Sequence, residues 1–431
     1  MAVDWREACL GDLVEIQHGF AFSGGFISDE PPGDILLTPG NFAIGGGFQA
    51  SKVKYYTGPV PDDFVLNYGD LLVTMTDLSK NMDTLGLPAV IPHSGFGRRL
   101  LHNQRLGKVV IRPDAPLEAR YLFYLLCSRE YRDEVLASAT GTTVRHTSPS
   151  RIRRFRFRLP PILEQRAIAH ILGALDDKIE LNRRTNETLE AIARALFKSW
   201  FVDFDPVRAK SEGREPGLPK HLADLFPDRF EESELGEVPA GWRVGTLASV
   251  ADNPRRQVDP RAIDPSTPYI GLEHMPRGRI ALDEWSKADA LVSGKLRFER
   301  GEILFGKLRP YFHKVGIAPV DGVCSTDIVV IKPATEAQFG FVFGHVSSDA
   351  FVDYANAGST GTRMPRTTWT EMARFRCVIP PGQVMAAFTD QIRPLIDRAL
   401  SSVYESRALG ALRDSLLPKL ISGDVRVALE R

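Results

Sequence analysis

The stretch Phe305-Gly306-Lys307-Leu308-Arg309-Pro310-Tyr311-Phe312-His313-Lys314 mixes basic side chains with aromatics and turn-formers directly after an apolar run that predicts a strand. Lysine and arginine in such a loop neutralise phosphates, and the planar fork of Arg309 matches the hydrogen-bonding edge of a guanine. A second basic pair, Arg363 and Arg366, stands next to Gly358-Ser359-Thr360-Gly361. The first half of the chain offers Arg98, Arg99 and Arg105, and then Arg145 and His146 beside Thr140-Gly141. Together with Lys307, Arg309, Tyr311 and Lys314, these are the candidate DNA contacts. Plain surface loops share this composition, and the residues alone leave both readings open.

The other chemistries for which the sequence can be searched lack their motifs. There is no G-x-x-x-x-G-K-[ST] phosphate loop and no H-E-x-x-H zinc pair, and the nine histidines are scattered. Gly95-Phe96-Gly97 lacks the third glycine of a dinucleotide fingerprint and reads as a turn. Asn253-Pro254 is followed by Arg255-Arg256 rather than by the aromatic on which an adenine-flipping methyltransferase stacks its base. Asp176-Asp177 and Asp203/Asp205 fall on a predicted helix and in a connector, where solvated carboxylates are expected. No catalytic residue and no metal ligand is assigned. The four cysteines, Cys9, Cys127, Cys324 and Cys377, stand apart from one another and from any histidine pair, which points to a reducing, cytoplasmic setting.

The elements that must position the basic loops occur twice. Thr140-Gly141-Thr142-Thr143 leads to Phe155-Arg156-Phe157-Arg158-Leu159-Pro160-Pro161. Thr360-Gly361-Thr362-Arg363 leads to Phe375-Arg376-Cys377-Val378-Ile379-Pro380-Pro381, offset by 220 residues without a gap. Trp5-Arg6 and Leu10 recur as Trp242-Arg243 and Leu247 at an offset of 237, so the first half carries 17 more residues between its anchors. The chain reads as a tandem duplication of one unit, a mixed α/β globular domain followed by a long helix. Asp70-Leu71-Leu72-Val73-Thr74 and Lys108-Val109-Val110-Ile111 predict strands, matched in the second half by Gly301-Glu302-Ile303-Leu304-Phe305. Leu117 to Ala139 has helical spacing. Phe155 to Leu159 alternates, with Phe155, Phe157 and Leu159 on one face and Arg154, Arg156 and Arg158 on the other.

After each Pro-Pro a helix is expected, over roughly 162–201 and 383–417. Apolar residues at 168, 172, 175, 179, 189, 193 and 196 follow a coiled-coil seam interrupted by Asn182 and Asn186. The second helix has Ser402 and Ser406 at the equivalent places, so an antiparallel pair brings the polar positions together. Phe197, Trp200 and Phe201 either dock a partner or are capped by the connector. That connector, 202–241, is rich in Pro, Gly and charge, and Ser415 to Asp424 closes the second helix with Pro and Gly stop signals.

The net charge of zero, from 54 basic and 54 acidic residues, conceals segregation. Five basic residues and no acid lie between His93 and Arg112, and six arginines and no acid between Ala139 and Leu163. Leu222 to Glu237 reverses this, with six acids against Arg229. A localised polyanion-binding surface and ordinary solvated faces are both compatible with that pattern. No apolar run reaches about 18 residues, and the N-terminus lacks a signal pattern, so no membrane partner is expected.

Several stretches, in this order and duplicated, resemble the specificity subunit of type I restriction-modification enzymes. They are Trp200-Phe201-Val202-Asp203-Phe204-Asp205-Pro206-Val207, Ser233-Glu234-Leu235-Gly236-Glu237-Val238-Pro239-Ala240-Gly241-Trp242, Pro160-Pro161-Ile162-Leu163-Glu164-Gln165, Lys307-Leu308-Arg309-Pro310-Tyr311-Phe312 and Leu416-Leu417-Pro418-Lys419-Leu420-Ile421-Ser422-Gly423. The resemblance implies an α/β (α+β) chain in which two tandem-repeated target-recognition domains are separated by two long antiparallel coiled-coil helices, with pseudo-twofold symmetry. The expected parts are target-recognition domain 1 at 1–160, a central helix and connector at 161–235, domain 2 at 236–381, and a distal helix and tail at 382–431. The resemblance further implies recognition of a bipartite, asymmetric double-stranded DNA sequence without catalysis in this chain. Two modification subunits methylate adenine with S-adenosylmethionine, and restriction subunits dependent on ATP and Mg²⁺ join through them. A scaffold of the same fold serving a modification-only or other phage-defence system is the alternative. One departure stands out. The second Pro-Pro precedes Gly382-Gln383-Val384-Met385, where the first has Ile162-Leu163-Glu164-Gln165, so the second helix is expected to start or dock differently.

Overall fold

The computed structural model describes residues 5–50, 53–77, 79, 82–92, 97–141, 144–289, 291–361 and 363–427. Thr142, Thr143 and Thr362 of the repeated stretch, and Gly95-Phe96 of the expected turn, lie outside the described residues. The chain forms two compact units: residues 1–177 with 410–431, and residues 178–409.

In the first unit the expected strands form and pair. Leu71–Thr74 runs antiparallel to Leu106–Ile111, which also takes Val14–His18 on its other edge, and Pro88–Val90 completes a four-stranded sheet. The 117–139 segment is two helices, Ala119–Cys127 and Arg129–Ala137, because Ser128 leaves helical geometry and its hydroxyl caps the second at Tyr131 N. Strand Arg156–Leu159 pairs with Arg6–Cys9, and its alternation holds: Phe155, Phe157 and Leu159 are buried while Arg154, Arg156 and Arg158 are exposed.

The second unit repeats this plan. Ala251–Asp252, Ile328–Pro333, Ile303–Gly306 and Val315–Ile317 form the same four-stranded sheet, and Arg376–Ile379 pairs with Arg243–Thr246. Each unit also has a five-stranded sheet, and four of its strands correspond. The order is Lys54–Tyr56, Asp34–Leu36, Leu100–Leu101, Val65–Leu66 in one and Ser286–Lys287, Pro268–Ile270, Gly322–Cys324, Lys295–Phe298 in the other. In both, the central pair is parallel. The fifth strand is added on opposite edges: Ile27–Ser28 joins Lys54–Tyr56, whereas Gln257–Val258 joins Lys295–Phe298. The offset between halves is 232 at Leu71/Ile303 and 222 at Leu100/Gly322, so ten of the additional residues of the first half sit in the loops between these strands.

The first long helix is Ile162–Phe201 and the second Gly382–Ser422. Both start directly after Pro-Pro, so the departure at 382–385 does not move the helix start. It changes what the first turn does. In the first unit Glu164 accepts from Trp5 Nε1 at 3.0 Å and is gripped by Arg426, Nε to Oε1 at 2.6 Å and Nη2 to Oε2 at 2.8 Å. Gln165 donates to the Pro116 and Pro160 carbonyls and accepts from Glu118 N, each at 2.9 Å. Their counterparts Val384 and Met385 are buried and apolar, and the indole nitrogen of Trp242, the counterpart of Trp5, has no partner among the described residues.

The second helix runs through Pro418, contrary to the expected stop. Leu420 and Ile421 bury against the first unit's core, and Gly423, at φ +81°, ends the helix instead. Phe197, Trp200 and Phe201 are buried among Phe388, Phe341, Phe226 and Trp242, so the chain's own connector covers them and they offer no docking surface. Nor is Asp176 a solvated carboxylate. It accepts from Tyr124 Oη at 2.6 Å and from Arg413 Nη1 at 2.7 Å.

Within the second unit the two helices run antiparallel, Asn182 meeting Glu405 and Ser406 while Ala193 lies with Ile396 and Leu400. Asn182 Nδ2 donates to Glu405 Oε2 at 2.9 Å and to Ser406 Oγ at 3.2 Å. The polar layer is only half matched. Ser402 turns back to the Arg398 carbonyl of its own helix, and the buried Asn186 Oδ1 has no partner among the described residues. Asn186→Leu is therefore expected to stabilise the protein by about 1 kcal/mol and Asn182→Leu to destabilise it by about as much. Urea midpoints moving in the same direction for both variants would contradict this account of the layer.

Candidate nucleic-acid interface

The first candidate cluster is built where strand Ile303–Gly306 ends. Its outgoing loop is tied to Asp327, just before strand Ile328–Pro333, and zipped to the loop that follows Gly358. Lys307 N donates to Asp327 O at 2.9 Å, Thr367 N to Lys307 O at 3.1 Å, and Arg309 N to Pro365 O at 2.7 Å. These bonds hold Arg309 at φ +52°, and His313 sits at φ +48°, so a single 3₁₀ turn, Pro310–Phe312, is clamped between two left-handed residues. Non-glycine residues in this conformation are held there by their surroundings, and such positions concentrate at functional sites.

Lys307, Arg309, Arg363 and Arg366 are thereby brought together. Arg309 Nη2 donates to the Arg363 carbonyl at 3.3 Å, and its buried Nε has no partner among the described residues. Arg366 shares its charge with Asp327, Nε to Oδ1 at 3.1 Å. Tyr311 is 51% exposed at the tip of the turn and packs edge-on to Phe312. Lys314 faces another way, since Nζ donates to the Leu272 carbonyl. Burial, with the Arg277 charge adding to it, holds the Lys314 ammonium below its ordinary pKa. The sequence reading missed Arg277, whose guanidinium lies 3.7 Å from the Phe312 ring centroid. Its local signal is the basic turn Pro276-Arg277-Gly278-Arg279.

The first unit builds the same joint from different side chains. Arg145–His146 pairs with Thr76–Asp77 just past strand Leu71–Thr74, and Thr140 bridges His146 as Thr360 bridges Arg366. His146 Nδ1 lies 3.2 Å from Thr76 Oγ1. Burial alone would raise the Asp77 pKa, but hydrogen bonds from Ser79 and Thr84 outweigh it and hold the carboxyl below its ordinary range. Arg105 joins this site through its carbonyl, which accepts from Met75 N at 2.8 Å, while its side chain is exposed. Arg98 and Arg99 belong to the other sheet. Arg99 pairs with Asp34 at 2.6 Å, and Arg98 donates to the Gly33 carbonyl at 2.5 Å.

Burial pushes the Cys324 and Cys377 thiols up to about 12, which keeps them protonated. Among the described residues no three His, Cys, Asp or Glu side chains are grouped to hold a metal ion, and no helix is long and apolar enough to cross a membrane.

Residues 2–191 match the family model of the type I restriction modification DNA specificity domain. The chain is 25% identical to the type I restriction enzyme HindI specificity subunit of Haemophilus influenzae, over 98% of this chain and 100% of that protein. It is 24% identical to the MjaIX specificity subunit of Methanocaldococcus jannaschii, over 76% of this chain and 73% of that one. Residues 2–191 thus carry a type I DNA specificity domain, and over most of its length the chain is similar to type I specificity subunits. Its fold is that of the M. genitalium type I S subunit crystal structure, with a TM-score of 0.52 at 14% identity over 97% of this chain and 96% of that one.

Proposed function

We propose that this chain is the non-catalytic DNA-recognition subunit of a type I restriction-modification system. Residues 1–160 read one half of a bipartite, asymmetric sequence and residues 236–381 read the other. The observation that carries the reading is the double construction of one joint, at the end of the same strand, with different side chains: Thr76-Asp77 against Arg145-His146, and Leu308-Arg309 against Pro365-Arg366. A shared scaffold with unlike reading surfaces suits two unlike half-sites. In this reading Lys307, Arg363 and Arg366 meet phosphates and Arg309 meets a base edge. Two modification subunits carry the S-adenosylmethionine chemistry, restriction subunits that use ATP and Mg²⁺ join through them, and the assembly works in the cytoplasm.

Exchanging residues 236–381 for the corresponding segment of another specificity subunit tests it. One half of the methylated motif is expected to change and the other to persist. A motif altered in both halves would overturn the modular reading.

A further inference from the structure

In the second unit the long helix also holds a loop of the globular part. The segment Arg277 to Ala281 runs between strands Pro268–Ile270 and Ser286–Lys287. Its backbone is held from the helix Ile162–Phe201. Glu190, 7% exposed, accepts with Oε1 from both Ile280 N, at 3.0 Å, and Ala281 N, at 2.8 Å. One turn on, Arg194 Nη2 donates to the Gly278 carbonyl at 2.6 Å. The segment in turn holds the basic turn: Gly278 N donates to His313 O at 2.9 Å, and Arg277 covers the Phe312 ring. A continuous set of hydrogen bonds thus links two helix side chains to the left-handed residue that closes the Pro310–Phe312 turn.

Resting on the DNA-reading role proposed above, we infer that Glu190 and Arg194 are positioning residues for recognition of one half-site, fixing the Arg309–His313 turn through the 277–281 segment. Among the described residues the first unit has no counterpart of this device. The position 220 residues beyond Glu190 is Gly410, and that beyond Arg194 is Asp414. In the first unit the stretch at the corresponding place contains Gly45-Gly46-Gly47 and is tied instead by Gly47 N to the Pro88 carbonyl. Burial pushes the Glu190 carboxyl above its ordinary range, so removing its charge perturbs the site less than removing its oxygen.

The test is adenine-methylation sequencing in cells carrying the modification subunits and either the wild-type chain or a variant. Glu190→Leu removes the acceptor. Methylation at sites mismatched in the half read by residues 236–381 is expected to rise at least 10-fold, with the other half unchanged. Glu190→Gln keeps an oxygen for both N–H groups and is expected to restore discrimination. Arg194→Ala, at a partly exposed residue, is expected to give a weaker relaxation of the same half and carries the test if Glu190→Leu does not fold. Relaxation of both halves, an unchanged motif in Arg194→Ala and Glu190→Leu alike, or a Glu190→Gln variant as relaxed as Glu190→Leu would overturn the inference. Absence of any bipartite motif dependent on the wild-type chain is a different result, and it would reject the DNA-reading role itself.

Discussion

Arg309→Ala is expected to weaken binding to the recognised sequence by roughly 10- to 100-fold, the 1–3 kcal/mol of a bidentate base contact, and to relax discrimination at one position of one half-site. The expectation rests on the way the residue is held. Its amide is tied to Pro365 O, its φ is +52°, and its buried Nε has no partner among the described residues. A buried guanidinium nitrogen without an acceptor costs about 1–3 kcal/mol, a cost that a ligand oxygen would remove. Arg309→Gly separates function from folding. Glycine prefers this backbone conformation, so the variant is expected to unfold no earlier than wild type while losing the same discrimination. Arg309→Lys keeps the charge without the fork and is expected to bind almost as tightly yet read poorly. Lys307→Ala is the contrast, a near-uniform loss across all sequences with the salt slope smaller by about one. Fluorescence anisotropy on cognate and singly mismatched duplexes over a salt series measures all four. Equal losses on cognate and mismatched DNA for Arg309→Ala would remove it from base reading.

The second large effect concerns stability. Glu164→Ala is expected to destabilise the first unit by about 3 kcal/mol, because it removes the buried carboxylate that Arg426 grips and leaves the Trp5 indole N–H without its acceptor. The low end of the range for a broken ion pair applies, since the Arg426 side chain is 38% exposed. No such loss is expected at the equivalent Val384, where the contact is apolar. The same carboxylate sets an acid sensitivity. Burial tends to raise its pKa, but the hydrogen bonds from Arg426 and Trp5 outweigh it, so the folded value lies below the ordinary 4.5. On acidification the unfolded chain therefore takes up the proton first. The contribution is complete above the ordinary value and is lost as pH falls through the folded one. Urea midpoints between pH 7 and pH 3 should fall more steeply for wild type than for Glu164→Ala. Parallel curves would contradict the assignment.

Much of this is legible in the amino-acid sequence, for identifiable reasons. The helix Ile162–Phe201 is marked by Pro-Pro at its start and by heptad spacing along its length, and the strand Arg156–Leu159 is written in its alternation. Both signals are local and periodic. Pro418 misled because local propensity predicts a stop there, whereas the burial of Leu420 and Ile421 carries the helix onward. The departure at 382–385 was visible, but its consequence was not. It depends on Trp242, some 140 positions away in the chain, whose indole lacks the carboxylate that Trp5 has. Pairings such as Arg366 with Asp327 and Arg99 with Asp34 join residues from distant strands, and no spacing announces them. Glu190 left no trace for the same reason, because its partners are backbone amides ninety residues on.

Genome-wide adenine methylation, compared in cells carrying the modification subunits with and without this chain, tests the central claim most directly. The account predicts that one asymmetric bipartite motif, with two different half-sites, is methylated only when the chain is present. A methylation pattern indifferent to the chain, or a dependent motif that is continuous or palindromic, would contradict it.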